Sequence, residues 1–285
     1  MNSAALHPGI PVFPRDRVVI ATRHAKAKAI RPAFRRLGLS VQTVRADTDA
    51  LGTFSGEVER RGTPLECALE KCRMAHALSG EPCCLGSEGS FGPHPHLPFA
   101  ASGFEILAFT DFARGYSVHE QLITFETNFA SEIISSVSML EDFATRAGFP
   151  SHALVLYAGS RSERPAKGIK SWDRLLELFQ LSAKAAPVRV ETDMRAHVNP
   201  TRMKVIAALA KKLARRLQRV CPACGVPGYG LVDTETGLPC DWCRRPTQLV
   251  QKEIHGCALC GHLSHALRQD GLIHADPAQC DYCNP

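Results

Sequence analysis

The chain has 285 residues, 45% of them hydrophobic and 22% charged, with a formal net charge of +6. These values suit one sizeable α/β domain with a small second module, and they exclude a disordered or fibrous chain. No run reaches the ~18 apolar residues that a membrane-spanning helix needs, and the opening MNSAALHPGIPVFPRD lacks a signal peptide's basic and apolar regions, so the expectation is a cytoplasmic protein without membrane contact.

Residues 1–15, with three prolines, read as a loosely held lead-in. Arg17 to Ala21 (RVVIA) is a short β-branched run, predicted as a buried strand. It runs into Thr22-Arg23-His24-Ala25-Lys26-Ala27-Lys28 and a helix to about Leu37, which Pro32 should kink or restart. Val41 to Val44 is predicted as a strand and Asp47 to Gly62 as a loop. Thr63-Pro64-Leu65-Glu66 combines an N-cap, a proline at the first helical position and a capping-box glutamate, so a helix should run to Ser79.

Cys83 to Gly86 is predicted as a short strand, and Gly92 to Pro98, with three prolines, as a turn-rich excursion. Strands are expected at Phe104 to Asp111 and Tyr116 to Phe125, a helix over Ser131 to Gly148, and a buried strand at Ala153 to Ala158. A helix over Lys170 to Lys184 and a strand at Val188 to Glu191 follow. Asn199-Pro200 should cap a long helix with Val205, Leu209, Leu213 and Leu217 along one side. This alternation predicts an α/β domain over residues 16–218 with a mixed sheet.

Charge is uneven. Eight Lys/Arg and no acid lie between Met194 and Arg219, and eight basic residues against Asp16 lie between Arg15 and Arg36. The tail from Arg219 onward has five basic and seven acidic residues, so a polyanion should meet the main domain first. A solvated helix face explains the basic runs as well.

Eight of the twelve cysteines stand in the last 65 residues as four C-x-x-C pairs: Cys221/Cys224, Cys240/Cys243, Cys257/Cys260 and Cys280/Cys283. Two such knuckles complete a tetrahedron around zinc, so residues 219–285 read as a zinc-ribbon module with two structural ions. With every ligand a cysteine, neither site keeps an open catalytic position. Sequential pairing, the first knuckle with the second and the third with the fourth, giving units of 23 and 27 residues, is expected ahead of a cross-braced arrangement, the alternative that the spacing leaves open. Metal should supply much of the module's folding free energy. Trp242 and Tyr282, inside knuckles, shield a metal or stack on a base, and His255, His262, His265 and His274 are not expected as ligands. Cys67, Cys72, Cys83 and Cys84 read as buried free thiols.

Three segments of the main domain belong together. The strand-to-helix turn VVIATRHAKAKAI offers backbone N–H groups and cations to an anion, without the glycines of a Walker loop. TPLECALEKC follows at Thr63 to Cys72, and Gly86-Ser87-Glu88-Gly89 places an acid among small residues after a strand. Their order and spacing resemble the inosine triphosphate pyrophosphatase superfamily, including its inosine/xanthosine triphosphatase branch. The similarity spans roughly residues 16–215: the apolar strand and basic turn; Thr63, Glu66, Ala68, Lys71 and Cys72 of a helix motif; Glu88; and a late basic helix entered through DMRAHVNPTRMKVIAALA. The domain joined to a cysteine-paired tail also resembles a bacterial family in which the two occur together, a likeness that implies no activity.

The resemblance implies a two-lobed α/β fold holding a nucleotide between its lobes. It further implies hydrolysis of a nucleoside triphosphate to monophosphate and pyrophosphate, dependent on Mg2+ or Mn2+. On it Thr22 and Lys26 would hold phosphate, with Lys28 the fallback. Glu66 and Glu88 would bind magnesium and orient the attacking water, and Lys71 would neutralise phosphate charge. Arg195, His197 and Arg202 are candidates for phosphate or base contacts. The family's asparagine after the first strand is replaced by Arg23 and His24, and its paired acids are reduced to Glu88 behind Ser87. A different class of function also fits: a non-catalytic nucleic-acid-binding or adaptor protein, docking phosphates on the basic helix and a nucleic-acid or protein partner on the zinc module.

Overall fold

The computed structural model describes residues 11–48, 62–94, 96–158, 165–183 and 187–285. Most of the loop expected over Asp47 to Gly62 lies outside them. The protein is mixed α/β, with three sheets. It divides into two compact units, Pro14–Ala113 with His119–Ala214, and Arg215–Pro285 with Arg114–Val118. The second unit thus begins a few residues before the expected 219 and includes a stretch from mid-chain.

The larger unit opens with β1 (Arg17–Ala21), α1 (Ala27–Arg35) and β2 (Ser40–Val44). Pro32 lies inside α1 without ending it, because a proline in a short helix removes one i−4 hydrogen bond. The helix α2 (Pro64–Ser79) begins with the full capping box, Thr63 and Glu66 each bonding the other's backbone N–H, and ends on left-handed Gly80. The strands β3 (Cys83–His94), β4 (Leu97–Asp111) and β5 (Tyr116–Thr124) complete a sheet ordered β2-β1-β3-β4-β5.

β1 runs parallel to β2 and β3, whereas β3 and β4 form a long antiparallel hairpin. Its pairing runs without a break from Cys83↔Asp111 to Pro93↔Ala101. The expected short strand and turn-rich excursion are therefore mostly one continuous hairpin, because ladder bonds to β4 override the weak strand preference of Gly, Ser and Pro. Gly86 lets α2 lie directly on β3, since a Cβ there would sit 1.7 Å from the Ala68 carbonyl oxygen. Ala68, Cys72 and Ala75 of α2 pack on Val19, Cys84 and Ile106.

A second, wholly antiparallel sheet is ordered β6-β9-β7-β8, from β6 (Ser131–Ile134), β7 (Leu154–Ala158), β8 (Ala166–Ile169) and β9 (Val188–Thr192). Its core joins Ile134, Leu154 and Val190 to Leu140 and Phe143 of α3 (Val137–Ala147) and to Leu175 and Phe179 of α4 (Trp172–Ala183). The helix expected from Ser131 is thus corrected: Ser131–Ile134 pairs with β9, and Ser136 caps α3 by accepting from Met139 N–H. α5 (Pro200–Leu217) follows, with the Asn199 side chain accepting from Arg202 N–H at 3.0 Å as its N-cap.

The cysteine-rich unit carries the antiparallel strands β10 (Gly230–Thr236), β11 (Val250–Gly256) and β12 (Leu263–Leu267). Among the described residues, no helix is long and apolar enough to cross a membrane.

Candidate functional site

In the larger unit the chemistry gathers at the carboxyl ends of the parallel strands β1 and β3. From β1 the chain turns towards β2, and from β3 it turns towards β4 on the opposite side, so the two ends form the kind of crevice in which open α/β sheets bind ligands. Lys26 reaches into it from the β1–α1 turn, its Nζ donating to the Ser87 carbonyl at 3.3 Å and to the Ser87 hydroxyl at 3.1 Å. Ala25 just before it is left-handed at φ 53°, an uncommon backbone for alanine that turns the chain there. Lys71 from α2 donates to the same Ser87 carbonyl at 3.4 Å and pairs with the Glu88 carboxylate.

The neighbouring strand position carries a second pair. Glu105 on β4, opposite Gly89, accepts from Arg202 Nε of α5 at 2.5 Å. Both side chains are essentially inaccessible, and Arg202 also donates to the Met194 carbonyl. A Cβ at Gly89 would come within 2.7 Å of both Arg202 and Glu105, so glycine is what allows this pair to cross the strand. Burial, then Arg202, holds the Lys26 ammonium down at about 7, with Lys71 adding to the effect and Glu105 and Glu88 opposing it. His24 and His197 stack with ring centroids 5.1 Å apart. His24 is pushed down to about 3, first by burial and then by His197; His197 is lowered by burial and by Arg195. Both imidazoles are therefore neutral near pH 7.

Of the residues expected from sequence, Lys26, Lys71, Glu88 and Arg202 meet around β3. Lys28 faces solvent, so of the two only Lys26 enters the crevice. The Thr22 hydroxyl accepts from His24 N–H and shapes the turn. Arg195 is forked onto buried Asp193, at 3.0 and 2.6 Å. Glu66 is not brought into the cluster: it lies five residues from Lys71 on α2, about 140° round the helix, exposed, with its carboxylate accepting from Thr63 at 2.7 and 2.9 Å. The two-carboxylate magnesium set of Glu66 and Glu88 is thus not assembled. Sequence reasoning missed Glu105; its signal was a lone acid in the apolar strand GFEILAF, which must find a cation when buried.

Phe91 links this crevice to an open recess of ≈ 70 Å³. Arg202 lies over its ring at 5.1 Å, and Phe129 stacks beside it at 6.3 Å. Tyr157, Lys167, Asp193 and Arg195 also line the recess.

The eight tail cysteines form two clusters, but the expected sequential pairing is corrected. Cys221 and Cys224 meet Cys257 and Cys260, while Cys240 and Cys243 meet Cys280 and Cys283, so the knuckles interleave. Within each cluster the sulfur distances between knuckles are 3.7 Å for Cys221–Cys260, 3.6 Å for Cys224–Cys257, 3.8 Å for Cys240–Cys283 and 3.7 Å for Cys243–Cys280. A tetrahedron with Zn–S bonds of about 2.3 Å has edges of about 3.8 Å. Both clusters are therefore compatible with structural zinc. Each knuckle closes by an i+4 N–H to the carbonyl of its first cysteine, as in Gly225 to Cys221 at 2.8 Å and Arg244 to Cys240 at 3.0 Å. β11 returns the chain between the second and third knuckles, which physically separates knuckles that are adjacent in sequence. The clusters contain no histidine. Trp242 and Tyr282 are both exposed, with Arg245 over the Tyr282 ring at 4.3 Å.

Cys67, Cys72, Cys83 and Cys84 are buried as expected, and burial pushes the Cys72 and Cys84 thiols up to about 12, where they are inert.

A family model described as domain of unknown function DUF6671 matches residues 71–285. The chain belongs to that family. The matched segment includes Lys71, Glu88, Glu105, Arg202 and both cysteine clusters, whereas Lys26 stands before it. No curated protein matches the chain.

Proposed function

We propose that the crevice at β1 and β3 binds the phosphates of a nucleotide and hydrolyses a phosphoanhydride, releasing pyrophosphate from a nucleoside triphosphate. The observation that carries this reading is a surplus of basic over acidic side chains: Lys26, Lys71 and Arg202 against Glu88 and Glu105, all at least nine-tenths buried. A buried charge in excess is costly unless a ligand of opposite sign completes the site. The recess at Phe91, Phe129 and Tyr157 gives a nucleobase aromatic surface beside that site.

Three basic side chains suit phosphoryl chemistry, which needs positioning and stabilisation of spreading negative charge. A phosphate drawing Lys71 towards itself would release the Glu88 carboxylate to take a proton from an attacking water. Glu66, held by Thr63, takes no part in this reading. Assays nevertheless include Mg2+ and Mn2+, because nucleotide phosphates bring such ions with them.

The competing nucleic-acid reading draws less support. Of the basic residues from Met194 to Arg219, Arg195 is tied to Asp193, Arg202 to Glu105, Lys212 to Glu120 and Arg216 to the Gly228 carbonyl.

The test is a broad nucleotide panel followed for both pyrophosphate release and binding. Turnover is expected, and Glu88→Gln should lower it at least ~100-fold while binding persists. Binding without turnover in the wild-type protein would reduce the crevice to a nucleotide sensor. No binding of any nucleotide would remove the reading altogether.

A further inference from the structure

Each ion pair of the crevice is balanced within itself, Lys71 by Glu88 and Arg202 by Glu105. Lys26 instead contacts two uncharged oxygens, both on Ser87, and one of these already receives the Lys71 ammonium. The charged groups facing it come from every element packed around it: Arg202 of α5, Glu105 of β4, Lys71 of α2 and Glu88 of β3. In its own turn stands neutral His24. A charged Lys26 in the empty site would be the one cation of the five-group cluster without an anion of its own.

We propose that Lys26 is a neutral amine in the empty crevice and takes up one proton as an anion binds, so that ligand and proton enter together. This rests on the reading of the crevice as a phosphate site and deepens it. Burial and the adjoining cations, Arg202 before Lys71, already hold the free amine near neutrality. A dianion at contact distance reverses the balance, since a nearby opposite charge favours the ammonium. Affinity for such an anion is then flat below about pH 7 and weakens about tenfold per pH unit above it.

The probe is sulfate, a dianion that carries no proton of its own across this range, followed by calorimetry in two buffers of different ionisation enthalpy. Near one proton should be taken up per sulfate bound at about pH 8.5, and near none at about pH 6. Lys26→Arg keeps the cation but cannot titrate, so binding should survive and the uptake vanish. The wild-type pH profile tests the idea even if that variant fails to fold. Binding at about pH 8.5 with no buffer-dependent heat overturns the inference and leaves the phosphate site standing. Uptake that persists in Lys26→Arg overturns it as well. If neither sulfate nor pyrophosphate binds at any pH, the phosphate reading falls and this inference with it.

Discussion

Lys26 shows how a buried lysine can be expensive for the fold that holds it. Its pKa falls from the ordinary 10.5 to about 7, burial being the largest cause. Between those values the unfolded chain binds a proton that the folded chain does not, so this residue makes stability rise with pH across that window. Below about pH 7 both states carry the proton, and the folded state bears the full cost of a buried ammonium. Lys26→Met should therefore raise stability by on the order of 3 kcal/mol at pH 6 and by much less above pH 10, while weakening anion binding. Denaturant melts at both pH values check this; a gain that is the same at both contradicts it. Lys26, Lys71 and Glu88 were legible in sequence because each stands in a short local pattern. Glu66 was legible twice, as a cap and as a ligand, and the hydrogen bonds to Thr63 decide for the cap. Glu105 and its pairing with Arg202, 97 positions away, belong to no local pattern.

At the scale of elements, the crevice depends on how closely α2 approaches β3. Lys71 can share the Ser87 carbonyl only because Gly86 allows the helix backbone to touch the strand. Gly86→Ala would place a methyl 1.7 Å from the Ala68 carbonyl oxygen and 3.1 Å from the Cys72 nitrogen, both backbone atoms of α2. We expect a loss of at least ~3 kcal/mol, or failure to fold, whereas Gly92→Ala on the same strand, with nothing within 4 Å of its added Cβ, should cost under ~1 kcal/mol. Comparable thermal melts for the two variants would show that the close approach is not needed. The caps of α2 and α5 and the strand β1 were readable because capping and β-branched runs are local physics. β3, β4 and β6 were misjudged because small, proline-containing or serine-rich segments become strands only when a partner strand supplies the hydrogen bonds.

For the whole molecule, the interleaved cysteines set how the tail is tied. The stretch closed by the first cluster, Cys221 to Cys260, overlaps the stretch closed by the second, Cys240 to Cys283. Neither half of the tail is then an independent zinc unit, and losing one ion should loosen both. Native mass spectrometry of the full chain distinguishes the pairings. Cys221→Ser with Cys257→Ser should leave one zinc bound, and Cys221→Ser with Cys240→Ser should leave none; sequential pairing demands the reverse.

The sequence alone determined that there would be two four-cysteine clusters, an α/β body, and two lysines and an acid near its first and third strands. These follow from ligand spacing, periodicity and capping, which act over a few residues. Which knuckles share a cluster, and that Glu105 and Arg202 join the crevice, were decided only by the tertiary structure. The reason is physical: contacts between side chains tens of positions apart depend on strand order and on how closely helices approach the sheet, and neither is written in any one segment.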